Sequence, residues 1–319
     1  MKLYVSMGIR STGKPSDPLT PHLVEMSWPA SNVLRTLSWE SPPEAMSSSV
    51  ADQEFTAASW TRDGLLLQPT HTEVLWIDPL TWTVVRRMSH PLMYSVHSAC
   101  ERPDGGVVVS AAGNQMVLCF DRTGRLEEAL HLGEGSLSEA YPGVADFRRL
   151  HHDALKPHAF HPNHVSHWGG DLWVTCFETR AVHGLRTGRI VELGGIPHDG
   201  RLREGLVWFT RVDGHVMALD PVNCEVVERY DLQALSGSRR RLGWCRGVDV
   251  RGDTVVVGMT TLRSTAHREV ARWLLQGEAG RKLPTRLVVI DRVTGRIERE
   301  VPLDLPSGGT IYGINFDLS

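Results

Sequence analysis

Val96-His97-Ser98, Arg102-Pro103-Asp104-Gly105-Gly106, Val107-Val108-Val109-Ser110, Val117-Leu118-Cys119-Phe120-Asp121 and Arg122-Thr123-Gly124 succeed one another in residues 96–124. They read as a strand, a glycine turn, an apolar strand, a third strand ending on an acid, and a tight turn into a fourth strand. The unit recurs. One copy opens at His161-Pro162-Asn163-His164-Val165 and runs through Leu172-Trp173-Val174-Thr175 to Arg186-Thr187-Gly188. Another opens at Pro197-His198-Asp199-Gly200 and runs through Val207-Trp208-Phe209-Thr210 and Val216-Met217-Ala218-Leu219-Asp220. Four-stranded repeats of about 40–50 residues are propeller blades.

The flanking sequence fits the same unit. Before it stand Phe55-Thr56-Ala57-Ala58-Ser59-Trp60, Leu65-Leu66-Leu67 and Val74-Leu75-Trp76-Ile77-Asp78. After it stand Trp244-Cys245-Arg246-Gly247-Val248, Val255-Val256-Val257-Gly258 and Leu287-Val288-Val289-Ile290-Asp291. Ile311-Tyr312-Gly313-Ile314-Asn315-Phe316 reads as an inner strand with nothing after it, and Leu3-Tyr4-Val5-Ser6-Met7 as a second strand with nothing before it. Pairing the two closes the ring and removes the exposed sheet edges. The expected fold is all-β: a single six-bladed β-propeller over residues 1–319, its last blade closed by N- and C-terminal strands. A seventh blade would have to hide within 126–160.

Composition sets limits on function. A net charge of −3 with dispersed Lys and Arg speaks against a nucleic-acid partner. No long apolar run offers a membrane span. No basic segment leads into an apolar stretch at the start, so a cytoplasmic location is expected. Cys100, Cys119, Cys176, Cys224 and Cys245 form no CxxC pair and read as free thiols. No GxGxxG, P-loop, GxSxG or HExxH occurs.

The axis of the ring is where the chemistry is expected. Inner strands start at one face of the disc, and loops after second and fourth strands return to that face. Insertions at about 8–21, 133–160 and 260–284 follow such strands, so lid-like covers are expected there. Residues 267–275 of the last read as an amphipathic helix. His97, His164 and His198 begin successive inner strands, with His161 close enough to compete with His164 for its place. Neutral imidazoles are the commonest ligands of iron, zinc and copper, and three with an open position make a catalytic metal site. One transition-metal ion held by His97, His198 and one of His161 and His164 is therefore expected. Arg246 takes the corresponding place in the next blade and suits an anionic substrate group. Tyr312 takes it in the split blade and Thr56 in the remaining one. Asp199 and Asn163 flank the ligands. His152 lies in a histidine-rich stretch with His151, Asp153 and His158, and is a candidate acid–base group.

The ordered blocks Ser95-Val96-His97, His161-Pro162-Asn163, Pro197-His198-Asp199-Gly200-Arg201, Cys245-Arg246-Gly247-Val248 and Val257-Gly258-Met259-Thr260 resemble those of a group of bacterial six-bladed propellers. Blade starts in that group carry a histidine, an H-x-N block, a P-H block and an R-G block in this order. More distantly the chain is similar to arylsulfotransferase-like and gluconolactonase-like propellers. The resemblance covers about 93–316, implies the propeller fold and a bacterial protein, and favours His161 over His164.

Three functions fit this pattern. The first is a metalloenzyme acting on a small molecule or modified peptide, with an anionic substrate group allowed for. The second is a metal-free transferase resembling the arylsulfotransferases, with an axial histidine as nucleophile. The third is a binding or scaffold propeller whose histidines fill the axis.

Overall fold

The computed structural model describes residues 1–10, 19–46, 53–151, 154–156, 158–262, 283–303 and 309–318. The strands are β1 (Lys2–Arg10), β2 (Leu19–Ser27), β3 (Val33–Ser38), β4 (Ser59–Trp60), β5 (Leu66–Pro69), β6 (Glu73–Asp78), β7 (Thr83–Ser89), β8 (Val96–Glu101), β9 (Val107–Ala111), β10 (Met116–Phe120), β11 (Leu126–His131) and β12 (Pro162–Trp168). They continue with β13 (Asp171–Cys176), β14 (Ala181–Gly184), β15 (Ile190–Glu192), β16 (Arg201–Arg203), β17 (Leu206–Thr210), β18 (His215–Leu219), β19 (Val226–Asp231), β20 (Trp244–Arg251), β21 (Thr254–Thr260), β22 (Arg286–Asp291), β23 (Arg296–Pro302) and β24 (Thr310–Phe316).

They form six four-stranded sheets: β4–β7, β8–β11, β12–β15, β16–β19, β20–β23, and a sixth in the order β24-β1-β2-β3. The last strand of the chain is thus the innermost strand of the blade that the first strand continues, with Leu3 opposite Phe316 and Val5 opposite Ile314. The six-bladed propeller and its split closing blade are as the sequence predicts. Between β11 and β12, the described residues hold only the short helix α1 (Leu137–Ala140) and a 3-10 turn at Phe147–Arg149.

Strand periodicity explains why the sheets stack into a ring. Side chains alternate across a strand, so a strand buried on both faces serves two neighbouring blades at once. In β9, Val107 and Val109 join a core with Leu67, Val74 and Trp76 of the preceding blade. Val108 between them joins Val165, Leu172 and Val174 of the following one. In β21, Val255 and Val257 pack toward Trp208 and Val216, while Val256 packs toward Leu3, Val5 and Ile314. The turns into fourth strands repeat one device: the side chains of Asp78, Asp121, Asp220 and Asp291 accept hydrogen bonds from backbone N–H groups two residues on, at 2.8 Å in each case. That is why an Asp at the end of the third strand marks four of the six blades in the sequence.

The insertion at 8–21 begins as a continuation of the sheet: Gly8 pairs with Pro21 and Arg10 with Leu19. Its tip at 11–18, most of the 260–284 insertion with the expected helix at 267–275, and His152 with Asp153 lie outside the described residues. No helix among the described residues is long and apolar enough to cross a membrane.

Candidate functional site

The inner strands do not start flat. The β8–β9 ladder slips between Val96 and Ser98, which leaves His97 unpaired. The β12–β13 ladder slips between Pro162 and His164, leaving Asn163. The β20–β21 ladder slips between Cys245 and Val248, leaving Arg246 and Gly247. Opposite Ser6 and Met7, β24 passes from Gly313 to Ile311 and leaves Tyr312. A bulge re-aims the side chain of its extra residue, and barrel and propeller rims use bulges in this way. Each therefore stands at the start of an inner strand, on the axial side of its blade.

This register revises the alignment of the histidines. The residue structurally equivalent to His97 is Asn163, not His161 or His164. His161 sits two residues earlier with φ +51, as Ser95 sits two residues before His97 with φ +50. A left-handed backbone is uncommon for such residues and marks a position held by its surroundings. Here it carries the His161 ring to 4.9 Å from that of His97, centroid to centroid, edge to face. The His198 ring lies 6.5 Å from that of His97. His164, by contrast, packs against Gly200, 3.6 Å from where a Cβ on that residue would lie, with Asp199, Arg201 and His198 as charged or titratable neighbours. Of the two histidines the sequence leaves open, His161 is the one that stands with His97.

Behind this cluster, His158 meets His161 at 2.7 Å between their Nδ1 atoms, with rings nearly parallel at 19°. That contact turns the Nε2 side of His161 away from His158. Several nitrogens in the cluster have no hydrogen-bond partner among the described residues: Nδ1 of His97 and both ring nitrogens of His198, with Nδ1 of His164 below them. Buried imidazoles are normally hydrogen-bonded, so such a group calls for a ligand, ion or water. Arg246 stands beside the cluster, its guanidinium 5.4 Å over the Trp244 ring and 5.6 Å over the Tyr312 ring. Buried Glu54, to which the sequence reading gives no role, adjoins Tyr312 across Gly8: a Cβ on Gly8 would lie 3.0 Å from Cβ of Glu54 and 3.5 Å from the Tyr312 ring.

Asp199 is buried directly beneath. Its carboxylate accepts from Thr210 Oγ1 and from the Gly247 backbone N–H at 2.9 Å, tying two blades together. It stands 3.9 Å from His198 Nδ1, beyond hydrogen-bond reach, and acts on that ring through charge. Burial raises its pKa, but His198, His164 and Thr210 outweigh this and bring it to about 2. Asn163 donates to the Pro197 carbonyl at 3.2 Å.

Arg201, which the sequence reading left without a role, is buried near the axis. It starts from β16 and crosses the axis. One Nη donates to Asn315 of β24, and the other donates at 2.6 Å to the carbonyl of Ala58, on the opposite side of the ring. Asp249 lies 3.7 Å from it. Burial lowers the pKa of Arg201 to about 10, against the pull of Asp249, so it remains a cation at neutral pH.

The axial imidazoles are held neutral. Burial, reinforced by their neighbours and by Arg246, pushes His97 and His161 well below the ordinary imidazole range. Burial and Arg246 lower His198, with Asp199 opposing. Burial takes His164 to about 3. The sign for stability follows. A histidine whose pKa is lower folded than unfolded adds no penalty above the unfolded value of about 6.5. Below that pH the unfolded chain binds the proton first, so stability falls, by about 1.4 kcal/mol per pH unit for each imidazole. Urea unfolding at pH 7.5, 6 and 5 is expected to show this loss. His164→Gln is expected to flatten the curve by one imidazole's share, and an unchanged slope in that variant contradicts the assignment.

Among the described residues, no group of three or more His, Cys, Asp or Glu side chains stands in ready metal-binding geometry. His167 lies at the far end of β12, against Arg102, Asp104 and Asp171 in a groove on the blade flank, away from the histidine cluster. No family model matches the chain, and no curated protein matches it. Among solved structures it is similar to a protein of unknown function from Bacteroides caccae, with a TM-score of 0.63 and 15% identity over 98% of each chain. It is similar to the β-propeller domain of Cps50 (Swd1) from Myceliophteria thermophila, with a TM-score of 0.50 and 15% identity over 94% of this chain and 87% of that one. A catalytically inactive virginiamycin B lyase from Staphylococcus aureus with quinupristin has a TM-score of 0.47 and 12% identity over 79% and 75%. At these identities the first two likenesses are likenesses of fold.

Proposed function

We propose that the protein is a metal-dependent enzyme that acts on a small molecule or modified peptide at the axial histidines. One transition-metal ion (iron, zinc or copper) is held by His97, His161 and His198. The observation that carries this reading is the convergence of three imidazoles from adjacent blades, with Nδ1 of His97 and both ring nitrogens of His198 buried without a hydrogen-bond partner among the described residues. All three are neutral at neutral pH, as ligation requires. Ligands at about 2.0–2.1 Å from one ion place ring centroids roughly 5 Å apart. The His97–His161 pair meets this at 4.9 Å, and His198, at 6.5 Å from His97, closes the site by turning about its side-chain bonds. Three protein ligands leave a position open for water or substrate, where the ion would act as a Lewis acid. His158 would orient His161 from behind.

Metal analysis of purified protein tests this. About one ion per chain is expected, lost in His97→Ala, His161→Ala and His198→Ala with the fold unchanged, because the blade interfaces rather than the ion supply the core. His164→Ala is expected to keep it. Wild-type protein that purifies without metal and binds no zinc, iron or copper on titration overturns the reading in favour of the metal-free transferase or the scaffold.

A further inference from the structure

We infer that Gln115 is a positioning residue of the axial site: its side chain sets the place of the His158–His161 pair, and so of His161 beside His97. This deepens the reading of the histidines as metal ligands and rests on it. Gln115 follows the 3-10 turn Ala112–Asn114, between β9 and β10 of the β8–β11 blade. It is buried, and its backbone is left-handed at φ +57. Glycine or asparagine takes that conformation at least cost, and a long side chain kept there points to a task for the side chain.

The task is visible in its hydrogen bonds. Oε1 accepts from the backbone N–H of Ala159 at 2.7 Å and from that of Phe160 at 2.9 Å. Nε2 donates to Tyr141 Oη at 3.2 Å. The Gln115 carbonyl accepts from Leu132 N–H at 2.9 Å. One residue thus fastens the start, the middle and the end of the segment between β11 and β12, and the two bonds at its end fall directly before His161. On the other side this end is joined to the β12–β15 blade. The carbonyls of Phe160 and His161 accept from the N–H groups of Glu178 and Phe177, each at 3.1 Å. The stretch is therefore fixed from two blades, with His161 left-handed beyond it and His158 meeting His161 at 2.7 Å. A side-chain amide has one oxygen with two lone pairs, and here both are used. Removal of a group that orients a metal ligand typically lowers metal affinity by roughly 10–100-fold.

The test is titration of the full chain and its variants with zinc(II), together with amide hydrogen exchange of the metal-free proteins. Gln115→Met is close in size and lacks the acceptor. Gln115→Asn suits the left-handed backbone but is one methylene too short to reach Ala159 and Phe160. Both are expected to bind zinc at least about tenfold more weakly than the wild type. Both should also speed exchange in peptides spanning 158–161 and leave the blade strands protected. Gln115→Glu keeps acceptors for the same N–H groups and can accept from Tyr141. It should bind zinc within about threefold of the wild type or more tightly, with slow exchange at 158–161. A merely structural role in the turn predicts another order, with Gln115→Asn best tolerated and Gln115→Glu no better than Gln115→Met. Should Gln115→Met fail to fold, the other two variants decide. Wild-type zinc affinity in Gln115→Asn, unchanged exchange at 158–161, or no recovery in Gln115→Glu overturns the inference. Faster exchange in Gln115→Asn and recovery in Gln115→Glu, in protein that binds no zinc, would sink the metal reading alone and leave Gln115 as the holder of the pair. Zinc binding that no Gln115 variant alters would sink this inference alone.

Discussion

Removal of residues 310–319 is expected to leave no soluble, cooperatively melting protein. The deletion takes away β24, whose Ile311, Ile314 and Phe316 are fully or almost fully buried. It also bares the inner edge of β1, where Leu3, Val5 and Met7 lose the neighbours that cover them. Burying such a side chain is worth about 1.5–3 kcal/mol. Three of them amount to roughly 5–9 kcal/mol, set against about 5–15 kcal/mol for the stability of a whole domain. An open edge also offers a template for pairing between chains. Expression followed by a calorimetric or fluorescence melt decides the matter: a truncated chain that melts like the full one would refute ring closure by these strands.

The second large effect is expected at Arg201. Arg201→Ala should cost about 3–5 kcal/mol, because it leaves buried partners unpaired rather than merely removing a contact. Asn315 Oδ1 and the Ala58 carbonyl lose their donor, and buried Asp249 loses a charge 3.7 Å away. Arg203 is the control. It holds the same Asp249 at 2.7 Å, but its side chain is 28% exposed, so Arg203→Ala should cost about 1 kcal/mol or less. Urea unfolding of the two variants beside the wild type measures both. Equal, small losses would mean that the crossing of the axis by Arg201 contributes no more than a surface ion pair.

The sequence revealed the ring because its signals are local and repeated. Apolar runs such as Val107-Val108-Val109 and Val255-Val256-Val257 must be buried on both faces, and Asp121 or Asp291 at a strand end specifies the following turn. His97, Arg246 and Tyr312 were legible for the same reason, since each opens an inner strand. Which of His161 and His164 stands beside His97 was not. A bulge shifts register by one residue without any compositional mark, and a left-handed histidine leaves no pattern in its neighbours. Spacing therefore pointed to His164, while the position of the H-x-N block pointed to His161. Arg201 was quoted in its block yet assigned nothing, because its partners are Asn315 and Ala58, 114 and 143 residues away. Asp199 reads as a flanking acid in sequence, but only the fold discloses that its carboxylate joins Thr210 to Gly247.

The split blade has a consequence for synthesis. The hairpin β1–β2 is made first, yet the strand that completes its sheet is β24, some three hundred residues later. At the usual elongation rate of about 5–20 residues per second, that interval lasts roughly 15–60 s. Throughout it Leu3, Val5 and Met7 lack β24, and for most of it they lack the β20–β23 blade as well. The intervening blades can stack as they emerge, but the first and last interfaces of the ring must wait together. A nascent chain of this design depends on whatever shields its leading hairpin until the final strand leaves the ribosome.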